Sequence, residues 1–552
     1  MSVSIALIQA AFTVGNIDAN LARIAALYQV AVIAKADLVV FSEMNVTGYP
    51  PEDLILNAAF QQSAMQALEQ CARMTSGGPA MLIGSLWCEE EIVFNAIFLL
   101  QDGRVAARQE KHHLPNDGVF DERRYFTPGA MPEPLLWRGM KLGLLVCEDM
   151  WFADVSAHLK HAGAELLIAM NASPFETGKP DARERAAISR VQETGLALLY
   201  VNQIGGQDEL VFDGGSFVLG RQADICARLH VFREDMEFVR LQNEGAGWSP
   251  LAGTVQPRLG DTEMIYRAMM LGLRDFVLRN GFAGVVIGMS GGIDSALAAA
   301  LASDALGAAH VRSVMMPSPI TSDDSVEDAT DCAQRLGIRI DTVPIDLGMQ
   351  AFGAMLETVF DGPVSDLAFG DNQTRLRAGI LLAISSKENL LLLNTGNKSE
   401  MAVGYTTPYG DMCGHFAVLK DAYKTTVFAL AAWRNLHGEV IPPRILSKPP
   451  SAELYEGQTD QDTLPPYALL DAVLHQLVEC RLGVDEVAAQ GFSLSLVRRV
   501  NELLHVAEYK RRQAPPGVKI SSMSFGRDRR YPITNGWQVM ERNRVRHPGA
   551  AE

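Results

Sequence analysis

No Cys-x-x-Cys pair occurs in the chain, and its seven cysteines, at 71, 88, 147, 226, 332, 413 and 480, are odd in number and widely scattered. That pattern excludes a disulfide framework and a zinc ribbon. No window reaches the roughly 18–20 unbroken apolar residues of a membrane span, and the opening stretch MSVSIALIQAAF lacks the basic region of a secretory signal. A cytoplasmic protein with no membrane partner is expected. Positive charge is also scarce: 48 Lys and Arg face 65 Asp and Glu, a formal net charge of -17, which argues against general binding to nucleic acid. A phosphorylated substrate would therefore need basic residues gathered locally.

What is present is the composition of a globular protein, 48% hydrophobic and 20% charged, over 552 residues, too long for one ordinary core. The first half, 1–240, alternates short strands (VSIALIQA, ADLVVFSE, AMLIGSLW, LGLLVCED, AELLIAMN, LALLYVNQ, GSFVLG) with helices near 18–35, 154–162 and 181–195. NAIFLLQDGRVAARQE carries an Asp-Gly hairpin turn. So many strands with so few helices predict a mixed sheet stack with helices outside. A Gly- and Pro-rich stretch, 241–261, reads as a linker. Beyond it, 262–552 alternates helices near 262–279, 324–336 and 373–386 with strands GVVIG, VRSVMMP, IRIDTVPI and NLLLLNTGN. Strict alternation predicts a parallel α/β sheet with ligands at the carboxyl ends of its strands.

The strand GVVIG runs into Gly288, Met289, Ser290, Gly291, Gly292, Ile293, Asp294 and Ser295, then an alanine-rich helix. A glycine pair lets the backbone approach a ligand, and the helix that follows offers unpaired amides, so the loop reads as a phosphate cradle. It lacks the lysine of a Walker A loop, which disfavours a kinase or an ordinary ATPase. Asp294 would repel a polyphosphate unless a cation lay between them, so it is best read as a magnesium ligand. The alternative is a plain tight turn with a helix cap.

This loop resembles that of the N-type ATP pyrophosphatases, which bind ATP and release AMP and pyrophosphate. The segment LLLLNTGNKSEMAVGYTTPYGD, 390–411, is similar to the NAD synthetase version of the second ATP-site segment. The resemblance implies Thr395 at the nucleotide and Glu400 as the second magnesium ligand, with Lys424 in KDAYKTTVF and Ser451 in SKPPSAEL also at ATP. It implies deamido-NAD as second substrate, met by Asp371 and Arg375 in DNQTRLRAG, by Glu400, and by Lys519 in APPGVKISS. Asp371 departs from the family's usual Asn. The stretch 510–530, with seven basic residues and one acidic one, suits a dinucleotide or a solvated basic tail.

In the first half, Glu43 in VVFSEMNVTGYPPEDL, Lys111 in RQEKHHLP and Cys147 in GLLVCEDMWF lie at strand ends. Thiolate attack on an amide needs a base for the thiol proton and a positive donor for the developing oxyanion, and Glu and Lys supply these. A buried small cysteine and two solvated charges are the alternative. These segments resemble the nitrilase, or carbon-nitrogen hydrolase, superfamily, whose fold is a four-layer α-β-β-α sandwich. The resemblance implies Glu43 as general base, Lys111 as electrostatic stabiliser, Cys147 as nucleophile, Glu122 holding Lys111, and the Glu148 amide as oxyanion donor. It places Ser173, Lys179 and Asp117 at the glutamine substrate; Asp117 replaces the usual Tyr.

The two halves together resemble the glutamine-dependent NAD synthetases, in which ammonia from glutamine passes through an internal tunnel to the adenylylated carboxylate of deamido-NAD. The resemblance implies a homo-oligomer, an octamer in many members. Two other readings stay open: an amidase with a nucleotide-sensing domain, and a glutamine amidotransferase acting on another carboxylate or a purine.

Overall fold

The computed structural model describes residues 2–243, 245, 247–357, 359 and 366–537. It divides into two compact units, Met1–Leu259 and Gly260–Glu552. Among the described residues no helix is long and apolar enough to cross a membrane.

The first unit opens with β1 (Ser2–Gln9), α1 (Ile17–Ile33), β2 (Leu38–Val40) and α2 (Ala58–Met74). Both helices start at an asparagine: Asn16 accepts the Ala19 amide, and Asn57 those of Ala59 and Phe60. β3 (Ala80–Glu89), β4 (Ile92–Gln101) and β5 (Arg104–Glu110) form a meander, and the expected Asp-Gly hairpin is present, with φ of 54° at Asp102 and 79° at Gly103. Next come β6 (Leu135–Trp137), β7 (Met140–Val146), α3 (Ala153–His161), β8 (Leu166–Asn171), α4 (Lys179–Thr194) and β9 (Leu198–Asn202). The hairpin of β10 (Ile204–Gln207) and β11 (Leu210–Asp213) precedes β12 (Phe217–Leu219), β13 (Ile225–Arg228), β14 (Asp235–Asn243) and β15 (Trp248–Pro250).

Two mixed sheets result, in the orders β15-β14-β1-β2-β3-β4-β5 and β13-β12-β9-β8-β7-β6. Side chains alternate between faces along a strand, and the burial follows that period of two. Ile5, Leu7, Leu82 and Leu99 pack against Leu144, Val146, Ile168 and Val201 between the sheets. The opposite face of the first sheet, with Ala6, Ile8, Phe41 and Ile83, is covered by Ile24 of α1 and Leu68 of α2. The opposite face of the second, with Leu145, Leu167 and Ala169, is covered by Val155 of α3 and Val191 of α4. The layers are thus α-β-β-α, as expected. The stretch 241–261 differs from a simple linker, because Leu241 and Trp248, both buried between the sheets, draw its first part into β14 and β15.

The second unit contains α5 (Asp261–Arg279), β16 (Gly284–Gly288), α6 (Ile293–Leu306), β17 (Val311–Met315), α7 (Asp323–Leu336), β18 (Arg339–Thr342), α8 (Asp346–Leu356) and α9 (Asp366–Glu388). It continues with β19 (Leu390–Asn394), α10 (Lys398–Val403), β20 (Phe416–Ala417) and α11 (Lys424–Asn435). All four strand pairings are parallel, in the order β18-β17-β16-β19-β20. Strand order reverses between β16 and β19, and at such a switch point the loops leaving two neighbouring strands diverge and open a crevice. Helices Tyr467–Val478 and Leu494–Val506 then bury Leu470, Leu474, Val497 and Leu504 with Ala402 and Val403 of α10.

Candidate active sites

In the first unit, three strand ends converge. Glu43 follows β2, Lys111 follows β5 and Cys147 follows β7, and their relative exposures are 0%, 1% and 4%. Gly84 of β3 makes room for the Glu43 turn: a Cβ there would lie 2.3 Å from the Met44 nitrogen. Lys111 Nζ donates to Glu43 Oε1 at 2.8 Å and to Glu122 Oε1 at 2.9 Å. Asn95 Nδ2 donates to Glu43 Oε1 at 2.7 Å, the Ala172 amide to Glu43 Oε2 at 2.9 Å, and the Tyr49 hydroxyl to Glu122 Oε1 at 2.7 Å. One ammonium therefore serves two buried carboxylates.

The electrostatics follow from that count. Burial alone would lower the Lys111 ammonium, but Glu122 and Glu43 outweigh it and hold it well above its ordinary value. Burial pushes the Glu122 carboxyl up to about 7 against the pull of Lys111. The Cys147 thiol is driven well above its usual range, first by burial and then by the Glu43 charge, with Lys111 opposing. A thiol so placed is protonated at rest, so it can become a nucleophile only by giving its proton to a neighbouring base as it attacks. Cys147 has φ of 48°, an uncommon conformation for a residue with a Cβ, of a kind that costs about 1–3 kcal/mol. Asp149 pins this turn, accepting the Val146 amide at 3.0 Å and the His113 amide at 2.8 Å.

Around this centre, Glu148 is raised by burial, with Lys111 and Lys179 lowering it and Asp117 raising it, which puts Asp117 and Lys179 within electrostatic reach of the residue after Cys147. Asp117 is exposed, whereas Lys179 Nζ lies 5.8 Å from the Trp151 ring and 5.9 Å from that of Phe120. Ser173 is fixed by Asn202, which accepts its amide at 2.9 Å, and by Arg183 Nε, which donates to its hydroxyl at 3.1 Å.

In the second unit, the loop after β16 and the loop after β19 flank the switch point. Gly291 has φ of 77°, and a Cβ on it would lie 2.3 Å from the Ser325 carbonyl oxygen. Ser295 Oγ donates to the Gly292 carbonyl at 3.0 Å, and the Gly292 amide donates to Ser290 Oγ at 3.2 Å. Met289 and Ile293 turn their side chains into the core, so only their backbones could meet a ligand. Gly291→Ala is expected to strain the loop by about 1–3 kcal/mol. The expected result is a lower melting temperature, read by calorimetry.

Asp294, Glu400 and Lys424 come together. Lys424 Nζ donates to Asp294 Oδ2 at 2.5 Å and to Glu400 Oε1 at 3.1 Å. Burial pushes the Glu400 carboxyl up to about 7, opposed by Lys424 and reinforced by Asp294. Asn397 organises the pair: it caps α10, accepting the Glu400 amide at 3.0 Å while its own amide donates to Glu400 Oε2 at 3.3 Å. Its Nδ2 donates to Asp294 Oδ1 at 2.9 Å. Sequence reasoning passed over Asn397, although Asn-Lys-Ser-Glu has the spacing of a capping box. It also passed over Asn95, Tyr49 and Asp149, for which no local signal exists.

The remaining expected residues are more dispersed. Thr395 is half-buried, directly after β19. Ser451 is exposed and donates to the Gln458 carbonyl. Arg375 donates to Asp371 Oδ2 at 3.2 Å, and Asp371 Oδ1 accepts the Thr407 hydroxyl at 3.0 Å. Lys519 is buried and paired with Asp528 at 2.8 Å. The basic stretch spends much of its charge internally: Lys510 donates to the carbonyls of Gly404 and Thr406, and Arg511 and Arg512 pair with Glu508.

Comparison with known proteins accords with this division. A carbon-nitrogen hydrolase model matches residues 4–248, and an NAD synthase model matches 265–514. The glutamine-dependent NAD(+) synthetase of Rhodobacter capsulatus is 47% identical over 95% of this chain and 97% of its own. The chain belongs to the glutamine-dependent NAD(+) synthetase family. A family member from Acinetobacter baumannii, solved in complex with adenosine diphosphate, is 38% identical with a TM-score of 0.79, covering 97% of this chain and 99% of that one. A family member from Cytophaga hutchinsonii, 20% identical, shares the fold with a TM-score of 0.85, covering 99% of this chain and 100% of its own.

Proposed function

We propose that this chain converts deamido-NAD, ATP and glutamine into NAD, AMP, pyrophosphate and glutamate. Cys147 attacks the glutamine side-chain amide while Glu43 takes the thiol proton and passes it to the leaving nitrogen, so that ammonia departs as a thioester forms. Lys111 and the Glu148 amide stabilise the oxyanion, and water then releases glutamate. Asp117, Ser173 and Lys179 hold the glutamine. In the second unit, the deamido-NAD carboxylate attacks the α-phosphorus of ATP, pyrophosphate leaves, and ammonia displaces AMP to give the amide. The loop Gly288–Ser295, Thr395, Lys424 and Ser451 serve ATP; Asp371, Arg375, Glu400 and Lys519 serve deamido-NAD.

Asp294 and Glu400 would hold magnesium. Their oxygens are hard donors that converge on one cationic point, occupied by the Lys424 ammonium, and magnesium typically takes one or two carboxylates plus substrate phosphates. Bound there, the ion would neutralise charge on the phosphates. The observation that carries this reading is the presence, on one chain, of the buried Glu43–Lys111–Cys147 cluster and of the Asp294–Glu400 pair at a parallel-sheet switch point. Incubation with ATP, magnesium, glutamine and deamido-NAD, followed by mass spectrometry, tests it. NAD, AMP, pyrophosphate and glutamate are expected in equal amounts, and stoichiometric ADP and phosphate would overturn it.

A further inference from the structure

His112, His113 and Asp154 stand outside the chemistry above, yet each offers a ligand atom within 4.8 Å of the others. His112 Nδ1 lies 2.9 Å from the Gly129 carbonyl oxygen. A carbonyl can only accept, so that nitrogen carries the ring proton and Nε2 keeps its lone pair. Metal-binding histidines are commonly oriented in this way by a bond from the other ring nitrogen. His113 Nε2 lies 3.0 Å from both Asp154 oxygens. The two imidazoles meet edge-on at 4.7 Å, and Phe152 covers the His113 ring at 4.3 Å. Both histidines are half-buried, whereas Asp154 is exposed, so the group is firmly based and reachable from solvent.

We infer that His112, His113 and Asp154 form an inhibitory site for a borderline divalent ion of the zinc class. Two imidazoles and one carboxylate suit zinc, cobalt or nickel and not magnesium, which prefers an all-oxygen shell. On binding, the ion replaces the hydrogen bond between His113 Nε2 and Asp154, and the ring proton passes to Nδ1 by exchange with solvent, so the imidazole stays neutral.

The site is placed to affect glutamine hydrolysis, a consequence that rests on the roles proposed for Lys111 and Cys147. His112 and His113 directly follow Lys111, and Asp154 opens the helix after the Cys147 turn. The His113 amide is also tied through Asp149 to the Val146 amide, one residue before Cys147. Tetrahedral zinc, with bonds of about 2.0–2.1 Å, needs its ligands about 3.3 Å apart. Closing the three side chains to that separation pulls on both segments and misaligns the base, the ammonium and the thiol.

The test uses the full chain carrying Cys147→Ala, so that the active-site thiolate cannot bind the probe, and titrates it with Co2+. Asp154→Asn and His113→Gln should each weaken one equivalent of Co2+, seen by its visible d–d absorption, by about tenfold or more, and leave cobalt bound at Asp294 and Glu400 unchanged. This readout needs no turnover, so it is separate from failure of the proposed reaction. In the chain that retains Cys147, Zn2+ should slow NAD formation from glutamine but not from ammonium, and Asp154→Asn should abolish the difference. Cobalt binding unchanged in both variants, with no equivalent weakened, overturns the site. Equal inhibition with both nitrogen donors overturns its link to Cys147.

Discussion

Cys147→Ala is expected to make no NAD from glutamine and to make NAD from ammonium salts at a rate comparable to that of the unsubstituted protein. Alanine offers no nucleophile, so Glu43 has nothing to activate and no thioester can form. The substitution should be tolerated, because Cys147 is a small buried side chain that no ion pair depends on. Asp149 would still hold the turn through the Val146 and His113 amides. Ammonia-driven synthesis should improve at mildly alkaline pH, where more ammonia is uncharged. The measurement is NAD formed by the purified variant with each donor in turn. Synthesis that persists with glutamine would reassign the nucleophile, and a folded variant inactive with ammonia would show that the two chemistries are not separable.

The second large effect belongs to the other unit. Asp294→Asn keeps the size of the side chain and removes one of the two charges proposed for magnesium. Synthesis should fall by roughly a hundredfold or more with either nitrogen donor, equivalent to about 3 kcal/mol in the barrier. The contacts around the residue sharpen the expectation. Asparagine has one acceptor oxygen for two donors: turned to accept from Asn397, it sets its own NH2 against the Lys424 ammonium, which now lies 2.5 Å from a carboxylate oxygen. Near-normal rates at ordinary magnesium concentrations would refute the metal role.

Both sites are legible in the sequence to the extent that their parts are local. The loop 288–295 can be read because the strand, the glycines and the helix are contiguous, and the same holds for Asn-Lys-Ser-Glu after β19. Glu43, Lys111 and Cys147 can be nominated as strand-end residues, but their company cannot. Tyr49 meets Glu122 across 73 positions and Ala172 meets Glu43 across 129, contacts that only the packed sheets create. β14 escapes notice for the same reason: its pairing with β1, Ser2 opposite Gln242, spans nearly the whole unit. α2 is absent from the expected helices although Ala64, Ala67, Leu68, Cys71 and Ala72 recur on one face at helical spacing, a signal present in the sequence itself. The basic stretch 510–530 misleads in the opposite direction. Its charges look free in the sequence, whereas Lys510, Arg511, Arg512 and Lys519 hold carbonyls and carboxylates of their own unit.

Asn397 shows what happens when one side chain has two obligations. As a cap it could be exchanged for aspartate or serine with little loss, since all three rank near the top for that position. The exchange is not neutral here, because its carbonyl oxygen caps α10 while its amide nitrogen donates to Asp294. Aspartate would keep the cap but set a third negative charge against two carboxylates, and serine has one short hydroxyl for two distant partners. Screening this protein for heat tolerance by helix-capping rules would therefore favour replacements that leave the fold intact and disturb the carboxylate pair proposed to hold magnesium.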